Sequence, residues 1–289
     1  MNWDSQLLAL LNQQLAHPIL DGLMVAVTIG AIPLLAAGPL ILLLTEKRRE
    51  GFALLLTLIL STLLAVGLQF LVLRPRPGGI RLVQPTPAFP SFPSGHAAAA
   101  FGGAVLVSLF SRRSAPAALL GAVLVGLSRV YLGQHYPSDP LGGAILGTSV
   151  ATAVYGCWYR PGEASRPRWA WLLWSQVGVV MLASLTAYLG LLRFELLALP
   201  GADKLLHLML PGGVAILAVG WRAGRRAATV LAVLCLLAFA EEFLQALSPV
   251  RSFDPLDLAA ALAGIALFGW LGTRLVSQHR LGLLADWRE

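Results

Sequence analysis

Residues 93–96, with the sequence PSGH, place a hydroxyl, a glycine and an imidazole directly before a run of apolar residues. A second polar set lies within residues 128–139, where Ser128 and Arg129 are followed by His135 and Asp139. Arginines and backbone amides bind tetrahedral oxyanions such as phosphate. One imidazole can attack phosphorus while another protonates the leaving oxygen. These residue types therefore predict phosphoryl chemistry.

Neighbouring residues support this chemistry. Asp139 stands four residues after His135, so its carboxylate can hold one ring nitrogen and leave the other free to attack. Gly95 allows the backbone to approach a ligand closely. If a helix begins at His96, the partial positive charge of its N-terminus adds to the attraction for an anion.

The elements that must position these residues are membrane helices. Of the 289 residues, 57% are hydrophobic and 12% are charged, with a mean hydropathy of +0.75. A soluble domain carries about twice that charged fraction. The apolar residues form blocks about as long as a hydrocarbon core requires. We predict an all-α, polytopic bundle with spans at residues 19–44, 51–73, 96–111, 115–133, 139–159, 169–192, 205–221, 226–247 and 256–276.

A short helix over residues 5–16 is predicted to precede these roughly nine spans. Leucines recur on one side of it, with Gln and Asn opposite, and it is too short to cross a bilayer, so we expect it to lie in the interface. The N-terminus lacks a basic segment followed by a cleavage site, so no cleavable signal is expected. Cys157 and Cys235 both lie in apolar segments and form neither a disulfide framework nor a metal cluster.

Basic residues predict the orientation of the bundle. One set of alternate loops, together with the C-terminal tail, carries twice as many Lys and Arg residues as the other set, which predicts a cytoplasmic C-terminus and an external N-terminus. Basic loops also account for the net charge of +7, and no aromatic-basic interleaving indicates a nucleic-acid partner. The loops with the unusual polar residues fall on the sparsely charged, extracytoplasmic side.

A second group of ionisable residues lies in the C-terminal half. Asp203 and His207 share a helix face, as do Glu241 and Gln245, because each pair is four residues apart. The group permits an ion-pair network, a binding site for a polar headgroup or a catalytic site. A metal held by His207 and carboxylates is disfavoured by the cations beside them. The whole group comprises Asp203, Lys204, His207, Glu241, Glu242, Gln245, Arg251, Asp254 and Asp257.

Residues 1–160 resemble the type 2 phosphatidic acid phosphatase (PAP2) family, whose motifs read K-x6-R-P, P-S-G-H and S-R-x5-H-x3-D. The second and third motifs match in full, and the first matches at Arg76-Pro77. The resemblance implies a phosphatase that needs no metal or cofactor and passes through a phosphohistidine. It implies that His135 is the nucleophile, Asp139 orients it, and His96 is the general acid and later the base. The phosphoryl oxygens would be bound by Arg76, Ser94, the Gly95 amide and Arg129.

One position departs from the first motif. Gln69 stands where the family has its lysine, seven residues before Arg76. Its amide donates hydrogen bonds but carries no charge. We expect weaker phosphate binding unless Arg74 or Arg81 supplies the missing charge. Gln69 and Arg74 are therefore included among the predicted substrate-binding residues.

Residues 165–289 resemble the VanZ-like family through the patterns D-K-x2-H, E-E-x2-Q and R-x2-D-x2-D. Members of that family are linked to glycopeptide (teicoplanin) resistance. The resemblance implies a four-helix membrane domain, with the second polar group as its site. We thus predict two domains, 1–160 and 165–289, joined near the proline-rich residues 159–168.

The sequence as a whole predicts a lipid phosphatase of the bacterial cytoplasmic membrane. Its partners would be the bilayer and a lipid with a phosphate or pyrophosphate at headgroup level. Undecaprenyl pyrophosphate is favoured over phosphatidylglycerol phosphate and phosphatidic acid. The alternatives are a lipid phosphotransferase and a lipid-binding or lipid-handling protein without catalysis.

Overall fold

The computed structural model describes residues 3–156, 166–191, 202–221, 226–246 and 253–280. The chain divides into two compact units, Met1–Tyr159 and Arg160–Glu289. The described residues form helices and no strands, which confirms the predicted all-α, polytopic bundle.

Helices occur at each of the nine predicted spans. In chain order the helices are α1 (Trp3–Ala9), a π-helical segment (Leu10–Gln14), α2 (Pro18–Leu43), α3 (Arg48–Val72), α4 (Gly95–Phe110), α5 (Ala115–Tyr131), α6 (Ser138–Val154), α7 (Arg166–Tyr188), α8 (Ala202–Trp221), α9 (Ala227–Ala246) and α10 (Pro255–Arg280).

Six of these helices contain a stretch that is long and apolar enough to cross a membrane, in α2, α3, α7, α8, α9 and α10. The other three predicted spans, α4, α5 and α6, are shorter, at 16 or 17 residues. A helix of that length measures about 25 Å, less than the roughly 30 Å of a hydrocarbon core. The short helices are the ones that carry the PSGH motif and the third motif.

The N-terminal segment differs from the predicted interfacial helix. The helix is broken into α1 and a π-helical segment, and its polar residues Asp4 and Asn12 are completely buried. Leu7, Leu10 and Leu15 are exposed instead. The buried face of this segment therefore carries Asp4, Leu8 and Asn12 together, and the two buried polar groups find hydrogen-bond partners in the bundle. Asn12 donates to the carbonyl of Tyr131 at 2.8 Å.

The packing of α4 on α6 brings two motifs together. A Cβ on Gly143 would lie 2.5 Å from the carbonyl oxygen of Ser94, and one on Gly147 would lie 2.1 Å from that of Ala98. Only glycine allows this approach of two helix backbones. The N-terminus of α4, with the PSGH motif, is thereby fixed against the N-terminus of α6, with Asp139.

In the second unit, too, a glycine allows two helix backbones to pack closely. A Cβ on Gly264 of α10 would lie 2.0 Å from the carbonyl oxygen of Leu208 in α8, so the two backbones touch at this glycine. Leu173 of α7 packs with Val214 and Ala218 of α8 in a separate apolar cluster. This packing holds the N-terminal ends of α8 and α10 side by side.

Candidate active site

The predicted site residues of the first unit collect at one end of its bundle. They come from the C-terminal ends of α3 and α5, the N-terminal ends of α4 and α6, and the loops between them. Ser94 caps α4, which begins at Gly95, one residue before the predicted start. The backbone N–H of Ser94 donates to the carbonyl of Asp139 at 3.0 Å, which joins the second motif to the third.

His135 is held by Asp139 in the loop between α5 and α6. Its Nδ1 lies 3.2 Å from Asp139 Oδ2, which also accepts a hydrogen bond from the backbone N–H of Tyr136 at 2.9 Å. A proton on Nδ1 directed at the carboxylate leaves Nε2 as the unprotonated ring nitrogen. Burial lowers the pKa of His135 despite the opposing effect of Asp139, which favours the neutral imidazole that a nucleophile requires.

Two guanidiniums lie beside this imidazole. Arg76 Nη1 is 3.3 Å from His135 Nε2 and donates to the carbonyl of Gln134 at 2.8 Å. Arg129 is 3% exposed, bonds through Nη2 to the side-chain oxygen of Gln134, and has a buried Nε without a partner. Neither arginine forms a salt bridge with a carboxylate among the residues that the structure describes. Burial lowers the pKa of Arg76, as expected for a desolvated cation.

His96 lies on the first turn of α4. It is close enough to Arg129, His135 and Arg76 to interact with their charges. The position before it, Gly95, has open space where a Cβ would stand, with no atom within 4 Å. The first amides of a helix lack partners within the helix. The site thus combines two imidazoles, two cations and free amide donors around an open space, as an anion site requires.

Gln69 and Arg74 are placed differently from the other predicted substrate-binding residues. Gln69 is 6% exposed, and its Nε2 donates to the carbonyl of Pro93 at 2.9 Å, so it holds the PSGH loop. Arg74 Nη1 donates to Asp139 Oδ1 at 2.5 Å and to the Ser138 hydroxyl at 2.7 Å. The guanidinium of Arg74 is therefore paired with the carboxylate that holds His135.

Arg81 is paired with a carboxylate as well. Its Nη1 donates to both carboxylate oxygens of Asp21 at 2.8 Å, and its guanidinium lies over the ring of Tyr131 at 5.2 Å. These contacts argue against Arg74 or Arg81 replacing the missing lysine charge, and the weaker phosphate binding expected with Gln69 stays a prediction. Both side chains already neutralise carboxylates.

Two residues of the site were not predicted. Asp4 is completely buried and forms a 2.6 Å salt bridge with Arg74 Nη2. Gln134 links Arg129 to the loop that carries Pro85, whose carbonyl accepts from Gln134 Nε2 at 3.2 Å. The signal for Asp4 was a lone carboxylate in an apolar N-terminal segment. Its partner stands 70 residues away, so no local pattern connects the two.

The second unit gathers its polar group at one end of α8, α9 and α10. Lys204 Nζ lies 3.0 Å from Asp203, 2.6 Å from Asp254 and 2.5 Å from Asp257. The salt bridge with Lys204 lowers the pKa of Asp254. Lys204 thus links the N-terminal turn of α8 to the start of α10.

The other residues of the second polar group lie next to Lys204 and its three aspartates. His207 Nε2 is 3.6 Å from Asp257 Oδ2, and Glu242, 1% exposed, accepts from the backbone N–H of Asp254 at 2.9 Å. Glu241 accepts from Gln245. One ligand atom each from His207, Glu241 and Glu242 lies within 4.8 Å of the others, a spacing compatible with a metal ion. Arg251 lies outside the described residues.

Fold and site define a polytopic helical membrane protein with a buried, cationic, imidazole-containing anion site. Residues 50–163 match the model of the PAP2 superfamily, so this part of the chain is a PAP2 superfamily domain. The resemblance predicted from the three motifs is confirmed over that range. The VanZ-like resemblance of residues 165–289 stays a prediction.

Curated relatives align with the same part of the chain. An undecaprenyl-diphosphatase of Sulfolobus acidocaldarius is 32% identical over 117 residues, which cover 39% of this chain and 57% of the relative. A decaprenylphosphoryl-5-phosphoribose phosphatase of Mycobacterium tuberculosis is 34% identical over 113 residues, covering 38% and 63%. The chain thus spans about three fifths of these relatives. The crystal structure of Aquifex aeolicus LpxE aligns with a TM-score of 0.48 and 28% identity, covering 53% of this chain and 95% of that one.

Proposed function

We propose that the first unit is a membrane lipid phosphatase that works through a phosphohistidine on His135. The observation that carries this proposal is a pair of guanidiniums beside His135, the buried Arg129 and the half-buried Arg76, that have no carboxylate partner among the described residues. A buried charge without a counterion is costly. An anionic substrate group supplies that counterion, next to the free nitrogen of His135.

The chemical steps follow from the positions of the two imidazoles. His135 Nε2 attacks phosphorus, forming an N–P bond as the P–O bond to the leaving group breaks. His96 gives its proton to the departing oxygen. His96 then takes a proton from water, whose oxygen attacks phosphorus and breaks the N–P bond, and phosphate leaves. Asp139 stabilises the positive charge that the imidazole carries while phosphorylated.

The phosphoryl oxygens would be held by four groups. Arg76 and Arg129 supply charge, the Gly95 amide supplies a hydrogen bond beside open space, and the Ser94 side chain supplies another. The Ser94 hydroxyl already accepts from the Ala97 amide at 3.4 Å, so its proton remains available to donate. No step of this mechanism requires a metal ion or a cofactor.

The favoured substrate is undecaprenyl pyrophosphate. The names of the two curated relatives, an undecaprenyl-diphosphatase and a decaprenylphosphoryl-5-phosphoribose phosphatase, both specify a long polyprenyl chain on phosphate. A substrate anchored in the bilayer also suits a site formed at the ends of three short apolar helices. We place this site on the extracytoplasmic side of a bacterial cytoplasmic membrane, with the C-terminus inside, because of the distribution of basic loops.

The test is release of inorganic phosphate by the purified, detergent-solubilised chain from undecaprenyl pyrophosphate, phosphatidylglycerol phosphate and phosphatidic acid. Release from undecaprenyl pyrophosphate with the highest kcat/KM supports the proposal. Transfer of phosphate to an added lipid or sugar acceptor, without free phosphate, supports the phosphotransferase alternative. Saturable lipid binding without turnover supports a lipid-handling protein.

For the second unit, we propose that its polar group binds a polar ligand rather than pinning the helices together. The convergence of His207, Glu241 and Glu242 near Lys204 supports this, because binding sites concentrate charge at a cost in stability. Glu242→Gln is the test, with the exposed Glu46→Gln as its matched control. An unfolding midpoint equal to or above that of the control supports binding, and a midpoint several degrees lower supports pinning.

A further inference from the structure

We propose that Asp4 is a positioning residue for the nucleophile, acting on His135 through Arg74 and Asp139. This inference rests on the proposed phosphatase function of the first unit. It assigns the N-terminal helix α1 a part in the reaction.

Asp4 is completely buried, and each of its oxygens is engaged. Oδ2 receives hydrogen bonds from Arg74 Nη2 and from the Ser138 hydroxyl, both at 2.6 Å, and Oδ1 receives the backbone N–H of Ser138 at 2.9 Å. It has no exposed surface through which it could touch a substrate. Its influence must therefore pass through Arg74 and the first residue of α6.

Arg74 stands between two carboxylates. Nη2 bonds Asp4, Nη1 bonds Asp139 Oδ1 at 2.5 Å, and the guanidinium lies over the Tyr136 ring at 4.1 Å. The other oxygen of Asp139 holds His135. One continuous series of contacts thus runs from Asp4 to the nucleophile, and the cation–π contact with Tyr136 helps to hold Arg74 in place.

The charges explain why two carboxylates are needed. Arg74 alone would neutralise Asp139, and the pair would have no charge left for His135. With Asp4 included, two carboxylates share one guanidinium, and the set keeps one negative charge. That charge stabilises the imidazole when it becomes positive on phosphorylation. When substrate binds, the imidazole is still neutral and is stabilised less by this negative charge than the phosphorylated imidazole is. Asp4 should therefore affect kcat more than KM.

The experiment is a double-mutant cycle on the full chain, with steady-state phosphate release from undecaprenyl pyrophosphate. We expect Asp4→Asn to lower kcat about tenfold and to leave KM within about twofold. In an Arg74→Gln background, the same substitution should lower kcat less than about twofold further, because the intermediate member of the series is gone. Asp21→Asn, which breaks the comparable pair with Arg81, should lower the unfolding midpoint and leave kcat unchanged.

Several results would overturn the inference. If the losses in kcat of the two single variants add in the double variant, or if KM rises as much as kcat falls, Asp4 only maintains the fold. An unchanged kcat in a folded Asp4→Asn protein would exclude a positioning role for Asp4. If that variant does not fold, Ser138→Ala keeps every charge but removes the hydroxyl beside Asp4. It should lower kcat a few fold at constant KM, and no change in kcat would count against the inference. A wild-type chain that releases no phosphate would instead refute the proposed function.

Discussion

Arg129 offers a prediction in which activity and stability respond differently. Its guanidinium is 3% exposed, has a buried Nε without a partner and forms no salt bridge within the described part of the chain. If it binds phosphate, the two charges meet at about 4 Å in surroundings with an effective dielectric constant of about 20, an attraction of about 4 kcal/mol. Arg129→Met should therefore lower kcat/KM about a thousandfold.

The free energy of unfolding should change much less in the same variant. Removal of an unpaired buried cation stabilises the fold, while the side-chain oxygen of Gln134 loses its donor, which costs about 1 kcal/mol. We expect these effects to offset each other to within about 1 kcal/mol. Phosphate release and the thermal unfolding midpoint, measured on the same preparation, check both parts.

Arg81→Met is the matched control for this experiment. Arg81 Nη1 donates to both carboxylate oxygens of Asp21, and neither residue contacts His135, so loss of Arg81 should lower the unfolding midpoint and leave kcat/KM nearly unchanged. The reasoning would be refuted if Arg129→Met retained its activity and lost stability as Arg81→Met does. Arg129 would then be a structural cation.

Two further predictions concern Gln69 and the pH dependence. Gln69→Lys should keep the hydrogen bond to Pro93 and raise phosphate affinity by about 1 to 3 kcal/mol if the ammonium reaches the phosphate. Inhibition of the enzyme by inorganic phosphate measures this affinity. A loss of all activity would show that the site depends on a neutral group at this position. Because the pKa of His135 is lowered in the folded protein, the imidazole stays neutral at neutral pH, and protonation of His135 should lower kcat/KM only on the acidic side of the ordinary histidine value of 6.5. Since His96 must carry the proton that it donates, kcat/KM should also fall as rising pH deprotonates His96. Below pH 6.5 the unfolded chain takes up a proton on His135 more readily than the folded chain does, so the free energy of unfolding should also fall as the pH is lowered. Denaturation measured at several pH values tests this. A stability of the wild-type protein that rises on acidification would contradict the prediction.

The sequence was sufficient to predict the helices and the core of the candidate site. The ends of the apolar blocks in the sequence agree with the ends of the helices to within a few residues. The agreement is close because a segment in lipid must satisfy its own backbone hydrogen bonds, and the helix is one of the few structures that does so. The spacing of His135 and Asp139 predicted their contact, which is local. Arg76 also lies beside His135, with its Nη1 3.3 Å from His135 Nε2, and the chemical roles of these residues stay predictions.

Long-range pairings were beyond sequence reasoning. Arg74 and Arg81 looked like phosphate ligands because their partners, Asp4 and Asp21, lie 70 and 60 residues away. The N-terminal helix looked interfacial because its leucines repeat with a helical period. The pattern does not say which side is buried, and Asp4 and Asn12 are buried because they find hydrogen-bond partners in the bundle.

The measurement that most directly tests the central claim is covalent labelling of His135. The purified chain, with chelator present, is mixed with undecaprenyl pyrophosphate carrying a radiolabelled terminal phosphate and quenched in alkali, where phosphohistidine persists. A phosphohistidine mechanism predicts label on the wild-type protein, and neither label nor phosphate release in a folded His135→Ala variant. Label or full turnover in that variant would contradict the account, because the nucleophile would then be another residue.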